Sequence, residues 1–100
     1  MSVETDFERA CLKAIEECKA FGYSPTAWIA MINDIGAVAA AEKLVVSGDI
    51  QSGFLRLARQ NRLDLTIEMA VLNPKWDSLF LDKRDVREAA WWRLSQAVRS

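Results

Sequence analysis

Groups able to titrate, coordinate or attack are few in this chain. Histidine is absent, which removes His-based triads, His-containing metal sites and the commonest general base near neutral pH. Cys11 and Cys18 are the only cysteines. On one predicted helix they sit about 10 Å apart along its axis, too far for a mutual disulfide. A zinc site needs four suitably spaced ligands, which two cysteines do not supply, so both read as small buried hydrophobes. The four glycines, Gly22, Gly36, Gly48 and Gly53, are scattered at predicted element boundaries and form no phosphate-binding loop. Carboxylates neighbour one another in Glu16–Glu17 and in Asp82 with Asp85, but adjacent acids on helix surfaces are ordinarily solvated. No catalytic residue, cofactor or metal ligand is assigned, and the sequence points away from an enzyme.

What remains is the chemistry of binding. Arg56, Arg59 and Arg62 are spaced by three and line one edge of a predicted helix. Such an edge grips phosphates in a salt-dependent way that reads no sequence. The plainer reading is a solvated edge paired with Asp64 or Glu68. No recognition helix for a DNA groove stands out, so direct nucleic-acid binding is not expected. Four tryptophans are present, two of them adjacent at Trp91 and Trp92. Neighbouring side chains on a helix point about 100° apart. Leu94 and Val98 lie three and seven positions beyond Trp91, which predicts that Trp91 faces the core. Trp92, beside Arg93 and one turn from Glu88 and Gln96, is placed at the edge, where tryptophan with arginine is typical of binding hot spots. The alternative, both indoles wrapped in the domain's own core, stays open, and homodimerisation satisfies either version.

These residues must be carried by a scaffold, and the chain's patterning gives its class. At 100 residues the chain is long enough for one domain with a real core. The net charge of −1 does not drive association with nucleic acid or anionic lipid. Residues 1–50 hold eight acids and four bases, and residues 51–100 hold six acids and nine bases; this dilute basic half reads as a solvated mixed surface. The longest nearly uncharged run, 22–32, is too short and mixed to span a bilayer. Cysteine usage and the lack of a recognisable signal peptide fit a reducing cytoplasm.

Apolar spacing predicts a first helix over about 4–21, with Phe7, Ala10 or Cys11, Ala14, Cys18 and Phe21 on one face and Ile15 beside them. Ser24-Pro25 opens a second, with Ser24 as cap, carrying Trp28, Ile29, Ile32 and Ile35. A third runs from Gly36 or Ala37 to about Val46, before Ser47-Gly48, and its run of alanines lets a neighbouring helix approach closely. Ser52 caps the next helix, which Asn61 stops. Arg62 to Ile67 alternates like a short strand, but Asp64 and Thr66 are good N-caps, and a capped turn into a short helix ending before Asn73-Pro74 is preferred. Trp76, Leu79 and Phe80 plug the core behind the proline. The last helix starts at Asp82, with Asp85 completing a partial capping box. The stretch Gly53–Phe80 is read as the centre of the scaffold. The expectation is an all-α fold, a compact bundle of five to six short helices in a single domain over 1–100.

The order of segments Phe-Gly-Tyr-Ser-Pro, a small-residue helix, Gly-Phe-Leu-Arg-Leu, Arg-Leu-Asp-Leu-Thr-Ile-Glu and Pro-Lys-Trp-Asp-Ser-Leu-Phe, taken with the chain's length and its lack of catalytic groups, resembles the small type I-F anti-CRISPR proteins of phages and mobile elements. The Arg-Leu-Asp-Leu-Thr segment also resembles pieces of uncharacterised bacterial helical domains. The anti-CRISPR resemblance implies a stoichiometric inhibitor that binds Cas proteins of the crRNA-guided surveillance complex and blocks target DNA recognition. Such complexes present positively charged channels, for which Glu16, Glu17, Asp34 and Glu42 would form a competing acidic face. An aromatic and basic edge of Trp92, Arg93, Arg56, Arg59 and Arg62 is the other candidate contact. A small nucleic-acid-associated regulator or dimeric adaptor is the alternative function. No membrane, cofactor or small-molecule substrate is expected.

Overall fold

The computed structural model describes residues 2–46 and 52–99, and the side chains of all of these except 52–53 and 97–99. Six α-helices and two 3-10 segments follow one another, with no strand among the described residues. They are α1 (Val3–Ala20), α2 (Thr26–Ile35), α3 (Ala37–Val46), α4 (Ser52–Arg59), a 3-10 turn at Leu63–Leu65, α5 (Ile67–Leu72), a 3-10 segment at Pro74–Leu79 and α6 (Arg84–Arg99). The fold is all-α.

Local chemistry sets most of these boundaries. Ser2 Oγ accepts from the Thr5 amide at 3.2 Å, satisfying one of the orphan donors at the start of α1. Glu4 and Asp6 sit in that first turn, at the positive end of the helix dipole. Asn61 stops α4's extension with φ +61°, the left-handed conformation that Asn tolerates better than most residues. Thr66 Oγ1 accepts from Met69 N at 3.2 Å and caps α5. Asn73 Oδ1 then accepts from Lys75 N at 3.0 Å, with Pro74 in the first position of the segment that follows. The strand-like alternation at 62–67 is thus a 3-10 turn leading to a capped helix.

Two starts differ from expectation. Ser24 does not cap α2, which begins at Thr26 after Pro25 with no side-chain cap. α6 begins at Arg84, where the Lys83 carbonyl accepts from Val86 and Arg87. Asp82 sits in the preceding turn, so the Asp82–Asp85 capping box does not form. The Ser47-Gly48 stop, the Ser52 hydroxyl and the Val98 side chain lie outside the described residues.

The central helix is α3, which packs against α1, α2, α5 and α6. Its alanines explain this position: Ala37, Ala40 and Ala41 are all buried, and so little bulk lets neighbouring backbones come close on several sides. The core they join contains Phe7, Cys11 and Ile15 from α1, Trp28 and Ile32 from α2, Leu44 and Val45, Ile67 and Val71 from α5, and Val86 and Ala90 from α6. Phe7 meets Trp76 at 5.5 Å and Phe80 at 5.6 Å between ring centroids, edge-to-face in both cases. Such pairs add about 0.5–1.5 kcal/mol each beyond the area they bury. A smaller cluster of Cys18, Leu57 and Leu65 ties α4 and the first 3-10 turn to the end of α1. The stretch Gly53–Phe80 therefore supplies much of the core, but it wraps a centre that lies in α3.

Candidate functional site

The surface of α6 is decided by the residue at its third inward position. Val86, Ala90 and Arg93 are buried, spaced by four and three, so they form the stripe that faces the bundle. Arg93 is only 6% exposed and Glu68, on α5, only 2%. Arg93 Nη1 lies 2.6 Å from Glu68 Oε2, and the same nitrogen donates to the Leu44 carbonyl at 3.4 Å. Nη2 donates to the Val45 carbonyl at 3.0 Å. These are last-turn carbonyls of α3, at the helix end that favours a cation. Arg93 is therefore no part of a surface edge, which corrects its assignment as a partner-binding residue. Burial pushes the Glu68 carboxyl above the usual carboxylate range, against the opposing pull of Arg93.

Because Arg93 turns inward, its predecessors turn outward. Trp91 is 62% exposed and Trp92 61%. Trp92 stands where the sequence places it, but Trp91 does not face the core, and its spacing to Leu94 does not mark the buried stripe. Leu81, in the turn before α6, is 72% exposed. It shares with Trp91 a shallow depression of about 440 Å³, whose rim is Arg84, Arg87 and Glu88. Arg84 Nε lies 3.6 Å from Glu88 Oε1 one turn along the helix, and Arg87 Nη2 lies 3.2 Å from Asp77 Oδ1. Two indoles and a leucine held in solvent, ringed by charge, have the anatomy of a contact surface. Apolar spacing misplaces Trp91 because it assigns Arg93 to solvent, and no periodicity marks Leu81, which precedes the helix.

The four acidic candidates form no free acidic face. Glu16 lies 3.7 Å from Lys19 Nζ, Glu17 lies 3.2 Å from Arg62 Nη2, and Glu42 is paired with Lys83. Asp34, exposed in the last turn of α2, carries no ion pair among the described residues. Three of the four thus lie beside bases of the same chain, though Arg62 is shared between Glu17 and Asp64.

The three arginines do not form one helical edge either. α4 ends at Arg59 and the chain reverses at Asn61, so Arg62 leaves in another direction. Arg62 grips Asp64 with two donors, Nε to Oδ1 and Nη2 to Oδ2, both at 3.1 Å, and reaches Glu17 with the latter nitrogen at 3.2 Å. Its hydrogen bonds to Asp64 and then Glu17 raise the guanidinium pKa, and its hydrogen bond to Asp64 pulls that carboxyl down. Glu68 takes no part, because Arg93 holds it in the interior. Arg56 lies over the Tyr23 ring at 5.2 Å from its centroid, and Arg59 is exposed.

A second concavity of about 230 Å³ lies between the α1–α2 turn, α4 and the start of α5, lined in part by Cys18, Tyr23, Trp28, Leu57 and Glu68. No group of three His, Cys, Asp or Glu side chains converges among the described residues. None of the helices they form is long and apolar enough to cross a membrane. Compared with protein-family models, with curated proteins and with solved structures, the chain matches none.

Proposed function

We propose that this chain is a non-enzymatic protein that works by docking onto another protein through the tryptophan face of α6. The observation that carries this is the exposure of adjacent Trp91 and Trp92 on one helix. The same fold buries Trp28 and Trp76, so it has the means to sequester indoles and leaves these two outside. Exposed tryptophans near arginine are the residues that most often dominate binding energy once a partner desolvates them.

The anti-CRISPR resemblance names the partner: Cas proteins of a type I-F surveillance complex, engaged stoichiometrically so that target DNA recognition is blocked. The docking surface in this reading moves from the acidic residues, three of which lie beside bases of the same chain, to α6. A nucleic-acid regulator built on Arg56, Arg59 and Arg62 draws less support, since Arg62 is held by Asp64 and Glu17 and Arg56 by Tyr23.

Purified surveillance complex passed over the immobilised chain tests the proposal. Retention by the wild type and its loss in the Trp91→Ala/Trp92→Ala double variant is the expected result. Equal retention by both, or none by the wild type, overturns it.

A further inference from the structure

The concavity between the α1–α2 turn, α4 and the start of α5 has no part in the tryptophan face. Among the described residues its lining comes from α1 to α5 and the turns between them, with none from α6. Leu44, Phe54, Leu57, Leu65 and Ile67 give it apolar walls, and all five are buried. Trp28 lines it too, and this indole is only 7% exposed. Its Nε1 is buried and donates to no acceptor. Roughly 90% or more of buried polar groups in folded proteins have a partner, and a buried donor without one carries a cost that an acceptor reaching it relieves. Among the described residues one other buried side-chain atom shares this condition, Asp77 Oδ1, and Arg87 Nη2 stands 3.2 Å from it. The Trp28 N–H is the donor still to be answered.

We propose that this cavity binds a small, uncharged, single-ring organic compound whose carbonyl-type oxygen accepts from Trp28 Nε1–H. The site stands or falls separately from the docking face of α6. Its size sets the scale of the guest. At about 230 Å³ it falls below the roughly 300–1,000 Å³ of sites for drug-sized ligands and above the roughly 150 Å³ that admits one benzene ring. One ring with a short substituent matches that space. Ser24 and Thr26, both exposed, line the same cavity, so it opens to solvent and a guest can enter. Because Nε1 is covered, a small rotation of the indole brings the N–H to the guest, a side-chain adjustment common on binding.

Charge selects against the alternatives. The lining includes Glu68, whose Oε2 is already bound by Arg93 Nη1 at 2.6 Å. A carboxylate guest would bring like charge beside that group in a low-dielectric wall. An ammonium guest would lose its water while competing with Arg93 for a carboxylate already taken. A neutral guest meets neither cost. A compound of about nine non-hydrogen atoms is expected to bind with a Kd of about 0.1–1 mM.

Proton–nitrogen correlation spectra of the full ¹⁵N-labelled chain, which report each indole N–H, test the site with three probes. Acetophenone carries the acceptor, α-methylstyrene has the same shape with a methylene in place of the carbonyl oxygen, and benzoate is charged. Acetophenone should bind saturably and move the Trp28 indole proton further downfield than α-methylstyrene does. Trp28→Phe keeps an aromatic wall without the donor. It should weaken acetophenone about fivefold or more and leave α-methylstyrene within about twofold. Benzoate should bind wild type at least about tenfold more weakly than acetophenone. No saturable acetophenone binding up to about 5 mM, an equal loss of both ring compounds in Trp28→Phe, or benzoate binding as tightly as acetophenone overturns the proposal. If Trp28→Phe does not fold, the wild-type spectra decide, and an equal shift of the Trp28 signal with both ring compounds overturns it.

Discussion

Arg93 Nη1 lies 2.6 Å from Glu68 Oε2, and both side chains are inside the bundle. Through its two terminal nitrogens Arg93 binds α5 by a carboxylate and α3 by two carbonyls, so one side chain of α6 fastens three helices. Replacing Arg93 by alanine strands a buried carboxylate. The expected loss is about 3–5 kcal/mol. Glu68→Gln keeps the shape and an acceptor for the guanidinium, with an expected loss of about 1–3 kcal/mol. Urea titrations followed by circular dichroism measure both. An Arg93→Ala midpoint equal to wild type would remove the fastening role.

The pair also predicts a pH dependence. Burial raises the Glu68 carboxyl above its ordinary 4.5, so the folded state binds a proton more readily than the unfolded state. The contribution of this group to stability is fully present below the unfolded value and is lost as pH rises through the folded value. Falling pH should therefore shift the stability of wild type relative to Glu68→Gln in favour of wild type, as pH drops through the raised folded value to the ordinary 4.5. Unfolding midpoints of the two proteins, taken in parallel at several pH values, isolate this group from the other carboxylates. A difference constant with pH would contradict the assignment.

Both cysteines should resist modification. Cys11 and Cys18 are free and buried. Burial, with Glu8 adding to it, pushes the Cys11 thiol up to about 12. Burial likewise raises Cys18, opposed by Arg62. Since the thiolate is the reactive form, Ellman's reagent at pH 8 should label neither until denaturant opens the fold. Rapid labelling of one thiol under native conditions would show that the smaller cluster around Cys18, Leu57 and Leu65 opens independently.

The four tryptophans should divide into two optical classes. Trp28 and Trp76 are buried, Trp91 and Trp92 exposed. Acrylamide should quench the wild type in two components, and the Trp91→Ala/Trp92→Ala double variant should lose the readily quenched one. Because these side chains lie outside the core, unfolding free energy should stay within about 0.5 kcal/mol of wild type per substitution. A large destabilisation would mean that an indole is packed, not presented.

Much of the scaffold was legible because it is locally encoded. The inward face of α1 follows from the spacing of Phe7, Cys11 and Cys18. The stop at Asn61, the cap at Thr66 and the break at Asn73-Pro74 follow from backbone chemistry confined to a few residues. The candidate surface was only half legible. Trp92 was placed outward, but Trp91 was turned inward and Arg93 outward, because apolar periodicity assigns a charged residue to solvent unless a buried partner is known. That partner, Glu68, lies 25 residues earlier, and nothing in the spacing of α6 announces it.

The sequence by itself determined the class of fold, the positions of most helices and the residues of the core, since propensity, capping and periodicity act within one or two turns. The tertiary structure alone decided the rotation of α6 about its axis, through an ion pair between distant elements and the α3 carbonyls beside it. It also decided the central place of α3 and the pairing of Glu17 with Arg62 and of Glu42 with Lys83. Rotation of a helix depends on what waits to receive each side chain, and only the folded neighbours supply that. One arginine drawn inward put Trp91 in solvent.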